Sequence, residues 1–260
     1  MSSRSENNQR LGLYQELNDI VSAMKNLAQV ELHRITRAEP GQLAAYQTCR
    51  GALQAISGAT NNPPLVGTEV CIVLGSERGF CGGFNEQLMR ELPAPLAGRS
   101  IVLSGARLSS KLAAPRADIT AMVAPATSDE VLPCARRLLH FLQAQQPDRI
   151  RLLQYQGHGV EILTLWPLPL VPSTVSPRTY MPLAQLNAEL QSHYLLHALA
   201  HALFNALKTE NRLRLQQMDA ARDHLQQLSQ QLLLRMNVLR QQEIVDEIEV
   251  ILAGQDLAEG

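Results

Sequence analysis

From Leu183 to Ala253 the chain carries neither proline nor glycine, and its apolar residues fall at helical spacing. That stretch predicts a helix of roughly 70 residues, about 100 Å long at 1.5 Å per residue. Helices of globular proteins typically run about 8–20 residues, which leaves a coiled coil, a membrane span or a helical repeat. Lys208, Glu210, Arg212, Arg214, Asp219, Arg222, Asp223, Arg235, Arg240 and Glu243 interrupt the stretch throughout. A span needs about 20 nearly uncharged residues, so a shaft remains.

A shaft requires a partner helix. Met218, Ala221, Leu225, Leu228 and Leu232 recur at alternating spacings of three and four, the seam of a left-handed coiled coil. Leu13, Leu17, Ile20, Met24 and Leu27 repeat the pattern near the other end, and the two seams are expected to pack on each other. A single seam could also belong to an amphipathic helix on a globular core, the weaker reading; two matching seams at opposite termini favour an antiparallel pair.

Between them the pattern changes. Val70 to Leu74, Ser100 to Ser104, Ile150 to Tyr155 and Val160 to Leu165 read as strands. Stretches around Phe84 to Leu92, Leu108 to Leu112 and Asp129 to Gln145 read as helices. Strand and helix alternate, which favours a mostly parallel sheet. Pro167, Pro169, Pro172, Pro177 and Pro182 mark an extended connector on one side, and Asn61, Asn62, Pro63 and Pro64 a boundary on the other. The expected class is therefore α/β: a long antiparallel coiled coil of the N- and C-terminal helices plus a small central α/β, Rossmann-like domain. The expected division is 1–60 for the N-terminal helix, 66–166 for the central domain, 167–182 for the connector and 183–260 for the C-terminal helix.

With 260 residues and a formal charge of −1, the chain has no excess of positive charge to hold nucleic acid. Its first ten residues, MSSRSENNQR, lack the apolar core of a secretory signal, which predicts a soluble cytoplasmic protein without direct insertion into a bilayer. Cys49, Cys71, Cys81 and Cys134 show no metal-type pairing and read as free thiols.

Three constellations could carry chemistry. Gly75 to Asn85, glycine-rich between a strand and a helix, is placed where phosphate often binds. It lacks the lysine and hydroxyl of a P-loop and the G-x-G-x-x-G spacing, so glycines for a tight turn and close packing are the stronger reading. His193, His197 and His201 share one helix face but have no acidic companion at metal-binding spacing. Cys81, His158 and an acidic residue could be imagined as a nucleophile system, but nothing local supports it. No catalytic residue, cofactor or metal is expected.

Pro40-Gly41 should bend or break the first helix after Glu39, leaving the far end of the long helix uncovered. That end carries Met236, Val238, Leu239, Ile244, Val245, Ile248, Val250, Ile251 and Leu252. So much apolar surface implies a hydrophobic sleeve supplied by another protein, unless the tip folds back or dimerises.

These residues carry a resemblance. Ile20 to Ala28, with its Ala23-Met24 pair, resembles the N-terminal helix of the gamma subunits of F-type rotary ATP synthases. Ser76-Glu77-Arg78-Gly79-Phe80-Cys81-Gly82-Gly83-Phe84-Asn85 resembles that family's Ser-Thr-Asp-Arg-Gly-Leu-Cys-Gly-Gly-Leu-Asn turn. Glu210 to Asp223, and Arg240-Gln241 with Ile244, Glu247 and Ile248, follow its C-terminal helix and tip. The resemblance implies a non-catalytic rotor, the central stalk coupling ion flow to ATP synthesis or hydrolysis. The implied partners are the alpha and beta subunits, the epsilon subunit and the membrane rotor c-ring. The implied location is peripheral, on the cytoplasmic face of a prokaryotic inner membrane.

By position, Met24, Arg240 and Gln241 match residues that meet the beta subunits, and Ile244, Val245, Ile248 and Ile251 match the end held in the bearing. Arg78, Cys81 and Asn85 match a block in the foot near the epsilon subunit and the rotor ring. Val21-Ser22, Val245 and the acidic Asp246, Glu247 and Glu249 depart from the usual pattern and look similar to the divergent gamma subunits of alternate, sodium-type F-type ATPases. The reading from a different class is a coiled-coil adaptor or scaffold with a ligand-binding α/β domain. Nucleotide binding at the glycine-rich turn stands third.

Overall fold

The computed structural model describes residues 3–57, 67–169 and 179–256, with the side chains of 3–5, 57 and 250–256 outside the description. Asn61 to Pro64, Pro172 and Pro177 lie outside the described residues. The elements follow in the order α1 (Ser3–Ser57), β1 (Glu69–Leu74), α2 (Phe84–Arg90), β2 (Arg99–Ser104), α3 (Ala106–Ser109) and β3 (Ile119–Met122). A short 3-10 turn (Ser128–Glu130), α4 (Val131–Gln145), β4 (Arg149–Tyr155), β5 (Val160–Trp166) and α5 (Leu183–Asp256) complete the chain. Residues gather into two compact units, one of Met1–Leu27 with Gln216–Gly260 and one of Ala28–Leu215.

In the larger unit the five strands order as β3-β2-β1-β4-β5. β1 pairs in parallel with β2 and β4, β2 in parallel with β3, and β5 antiparallel with β4. β1 is central and covered on both faces, so it reads as the near-continuous apolar run Val70-Cys71-Ile72-Val73-Leu74. The pleat sends alternate side chains opposite ways. Val70, Ile72 and Leu74 join a core with Ile35 and Leu53 of α1, Leu138 and Leu142 of α4, and Leu199, Leu203 and Leu207 of α5. Cys71 and Val73 join a second core with Phe84 and Leu88 of α2 and Leu108 of α3. The sheet is thus sandwiched between the long helices with α4 on one side and two short helices on the other.

β3 escaped the sequence reading: its four residues form a sheet-edge strand with no fully buried member, too weak an alternation to register. The expected break at Pro40 is also absent, because α1 continues through it to Ser57. Proline there removes one backbone hydrogen bond, but the neighbouring turns are held from α5. Lys208 Nζ donates to both carboxylate oxygens of Glu39, at 2.8 and 2.5 Å, and the Tyr46 ring stacks on His201 with centroids 5.2 Å apart.

The smaller unit pairs the start of α1 with the end of α5. Lys25 Nζ meets Asp219 Oδ1 at 2.6 Å, while Asn7 borders a cleft lined by Met236, Asn237, Leu239 and Arg240, so the helices run antiparallel. On α5 the expected seam is the covered one, with Met218 buried and Ala221, Leu225, Leu228 and Leu232 partly so. On α1 it is not. Leu13, Leu17, Ile20 and Leu27 are exposed, and the covered stripe in this unit is Asn7, Leu11, Tyr14, Asn18, Val21 and Lys25. The same three–four spacing continues in the larger unit at Ala28, Leu32 and Ile35. The true seam lies one residue off the expected one, and its asparagines and lysine disguise it.

Candidate partner-binding surfaces

The foot turn is built on β1. Ser76 leaves the strand fully buried, its N–H donating to Asn85 Oδ1 at 3.0 Å while Asn85 Nδ2 donates to Ser76 Oγ at 2.7 Å. Cys81 Sγ donates to Ser76 Oγ at 3.4 Å. Glu77 Oε2 accepts the N–H groups of Ala106 and Ala124, at 3.1 and 3.0 Å, tying the turn to the ends of β2 and β3. Of the three foot residues singled out in the sequence, Arg78 is exposed whereas Cys81 and Asn85 are interior and shape the turn. The residue they present is one the sequence reading passed over. Phe80 is 64% exposed and held at φ 63, a left-handed conformation costing a non-glycine residue on the order of 1 kcal/mol.

Behind the turn stands a polar cluster from α5. Arg214 donates through Nε to Gly79 O at 3.2 Å, through Nη1 to Asn211 Oδ1 at 2.8 Å, and through Nη2 to Glu210. Glu210, Asn211 and Arg214 are all buried. Burial pushes the Glu210 carboxyl up to about 7 against the opposing pull of Arg214. Burial likewise raises the thiols of Cys71, to about 11, and of Cys49, Cys81 and Cys134, so all four stay protonated and unreactive near neutral pH. His158 is exposed on the hairpin after β4 while Cys81 is bonded within its turn, so the imagined nucleophile system is not assembled.

The histidine row does not act as a unit, and His197 is half-buried with no hydrogen-bond partner at Nδ1 among the described residues. His201 stacks on Tyr46 and its Nε2 lies 3.2 Å from Asn205 Nδ2, and His193 is exposed. Among the described residues no group of three or more His, Cys, Asp or Glu is placed to hold a metal, and no helix is long and apolar enough to cross a membrane.

The shaft carries the apolar surfaces. On α1, Leu13, Leu17, Ile20 and Leu27 form a stripe that α5 leaves open, with Met24 half-buried beside it. On α5 every described residue from 241 to 249 is exposed, including Gln241, Ile244, Val245 and Ile248, and Arg240 just before them is exposed too. Ile244, Val245 and Ile248 share one face, flanked by Glu243, Asp246, Glu247 and Glu249. Ile251 lies in the helix, its side chain outside the described residues.

An antiparallel pair of terminal helices in one unit and a small doubly wound sheet in the other define the class of protein. A family model described as ATP synthase matches residues 3–256, and the chain belongs to that family. Among curated proteins it is similar to the ATP synthase gamma chain of Desulforamulus reducens, 26% identical over 281 aligned positions that cover 98% of each chain.

Among solved structures it resembles a chain of the Euglena gracilis mitochondrial ATP synthase rotor, with a TM-score of 0.64 and 13% identity over 93% of this chain and 99% of that one. A chain of the same organism's OSCP/F1/c-ring assembly gives a TM-score of 0.68 at 13% identity, over 97% of this chain and 93% of that one. One from the Tetrahymena thermophila mitochondrial central stalk and c-ring gives 0.57 at 16%, over 78% of this chain and 99% of that one. At such identities the structural likeness speaks for the fold.

Proposed function

We infer that this chain is the gamma subunit, the rotating central stalk, of an ATP synthase. The observation that carries the reading is the bare apolar surface of the shaft, Leu13, Leu17 and Ile20 on α1 and Ile244, Val245 and Ile248 on α5, in a chain that matches its family from end to end. Burying each such side chain is worth about 1.5–3 kcal/mol, and the chain leaves that gain to a partner. A ring of alternating alpha and beta subunits supplies a sleeve of the required character. Rotation inside it moves catalytic subunits between states only if the shaft binds those states with different free energies. The unequal faces of the shaft, apolar on one side and acidic at the tip, provide that difference.

In this reading Met24, Arg240 and Gln241 meet the beta subunits, and Ile244, Val245, Ile248 and Ile251 turn in the bearing. Arg78 and the turn shaped by Cys81 and Asn85 face the epsilon subunit and the rotor c-ring. Residues 1–60 and 183–260 serve as shaft, 66–166 as foot and 167–182 as connector. The subunit is peripheral to the membrane and catalyses nothing itself. The bacterial relative supports a place on the cytoplasmic face of a prokaryotic membrane. The departures at Val21-Ser22 and Val245 look similar to the alternate branch of F-type ATPases, whose coupling ion is set in the membrane sector and not by this subunit.

Co-expression with the alpha and beta subunits of the same source tests the assignment. The expected product is a ring containing one copy of this chain that hydrolyses ATP. A stable homodimer that ignores the ring would instead favour an adaptor.

A further inference from the structure

In a doubly wound sheet, ligands settle outside the carboxyl ends of the strands where the chain reverses its direction of winding. Here β1, β2 and β3 advance one way and β4 returns to the other side of β1, so the reversal lies between β1 and β4. That crevice is filled by the chain itself. Leu213 of α5 packs on the core containing Cys71, Val73 and Leu153. Thr209 Cγ2 stands 3.9 Å from where a side chain on Gly157, just past β4, would begin. Arg214 bonds to Gly79 O in the turn after β1.

A buried ion pair is seldom more stabilising than an apolar pair of the same volume. Glu210 and Arg214, 3% and 7% exposed, are therefore better explained by direction than by stability. Most of the hold that α5 has on the sheet is apolar, through Leu199, Leu203 and Leu207, and apolar contact is non-directional. Among the described residues two side-chain hydrogen bonds tie α5 to the sheet and its turns, Tyr194 Oη to Leu165 O and Arg214 Nε to Gly79 O. The second grips a turn already stapled by Asn85 and Glu77. Of the two it lies nearer the end of α5, two residues before Gln216.

We propose that Arg214, aimed by Glu210 and Asn211 and bonded to Gly79 O across the β1/β4 crevice, is the torsional joint that hands the twist of α5 to the foot. The proposal rests on the rotor reading, with these three as positioning residues. The crevice that serves ligands in other doubly wound sheets serves here as the socket of a shaft.

The test uses the assembled complex with a bead fixed to the foot, and reads torsional stiffness and stall torque. A Glu210→Gln, Arg214→Met double variant removes the bond without leaving an unpaired buried charge. It should keep the unloaded hydrolysis rate and melting temperature while stiffness and stall torque fall several-fold. Arg214→Lys, gentler on folding, keeps a charge for Glu210 but commits its ammonium there, and should show the same fall. Unchanged stiffness in either assembled variant overturns the joint. A wild-type complex that fails to turn the bead overturns the rotor reading and the joint with it, whereas a turning wild type with unchanged variants sinks the joint alone.

Discussion

A side chain at Gly75 would begin 2.3 Å from Leu108 Cβ, and one at Gly105 2.6 Å from Ser76 O, with Gly105 also at φ 118. Gly67 is as crowded, a side chain there beginning 2.1 Å from Asp148 Oδ2, so among the described residues the foot needs glycine for close approach at these three places. Gly82, at φ 58, serves the turn, whereas Gly83 faces open space. Gly75→Ala is expected to cost about 1–3 kcal/mol by overpacking, and Gly83→Ala to change stability by no more than about 0.5 kcal/mol, both read by denaturant unfolding. Equal effects would contradict the packing. The glycine-rich stretch was legible as a tight turn, but which glycine does what depends on Leu108 and Ser76 approaching from elsewhere in the fold. Glu210 makes a pH prediction. Its folded pKa is raised, so the folded state binds the extra proton between about 4.5 and 7. Its contribution is fully present below about pH 4.5 and is lost as pH rises through about 7, so wild type should lose stability relative to Glu210→Gln over that range. Parallel melting curves for the two proteins would remove the assignment.

Among the elements, α1 teaches most. Apolar spacing pointed to Leu13, Leu17, Ile20, Met24 and Leu27 as its seam, yet the stripe covered by α5 in the shaft is Leu11, Tyr14, Asn18, Val21 and Lys25. Hydrophobic periodicity finds the most apolar face of a helix, and in a rotor that face is open to a partner outside the chain. The α5 tip is bare although the break at Pro40 that was expected to uncover it is absent. Pro40 was misread for a different reason. Local propensity ends a helix at proline, and the tertiary hold of Lys208 and His201 overrode it. Pro40→Ala should therefore raise the stability of the free chain, by up to about 3 kcal/mol, measured by chemical denaturation. A fall would mean that the proline has a role beyond that of a tolerated defect. Ile248→Asp, on the exposed tip, should leave the free chain's melting unchanged. It should weaken assembly with the ring roughly 10–100-fold through the loss of about 1.5–3 kcal/mol of burial. Normal assembly of that variant would argue against the tip being held in a bearing.

For the whole molecule, the architecture was readable because its two parts carry different periods. A helical repeat without proline or glycine marks α5, and short β-branched runs mark the sheet. The edge strand β3 and the bond from Arg214 to Gly79 O were not readable, since both exist only through contacts distant in sequence. The central claim is mechanical: the catalytic ring drives this chain round. The direct measurement is to fix the alpha and beta subunits to a surface, attach a bead to the exposed face of the foot, and watch it under ATP. The account predicts unidirectional rotation in regular steps, which stops when ATP is withdrawn. A foot that stays still, or only diffuses about a mean angle, while the ring hydrolyses ATP would contradict it.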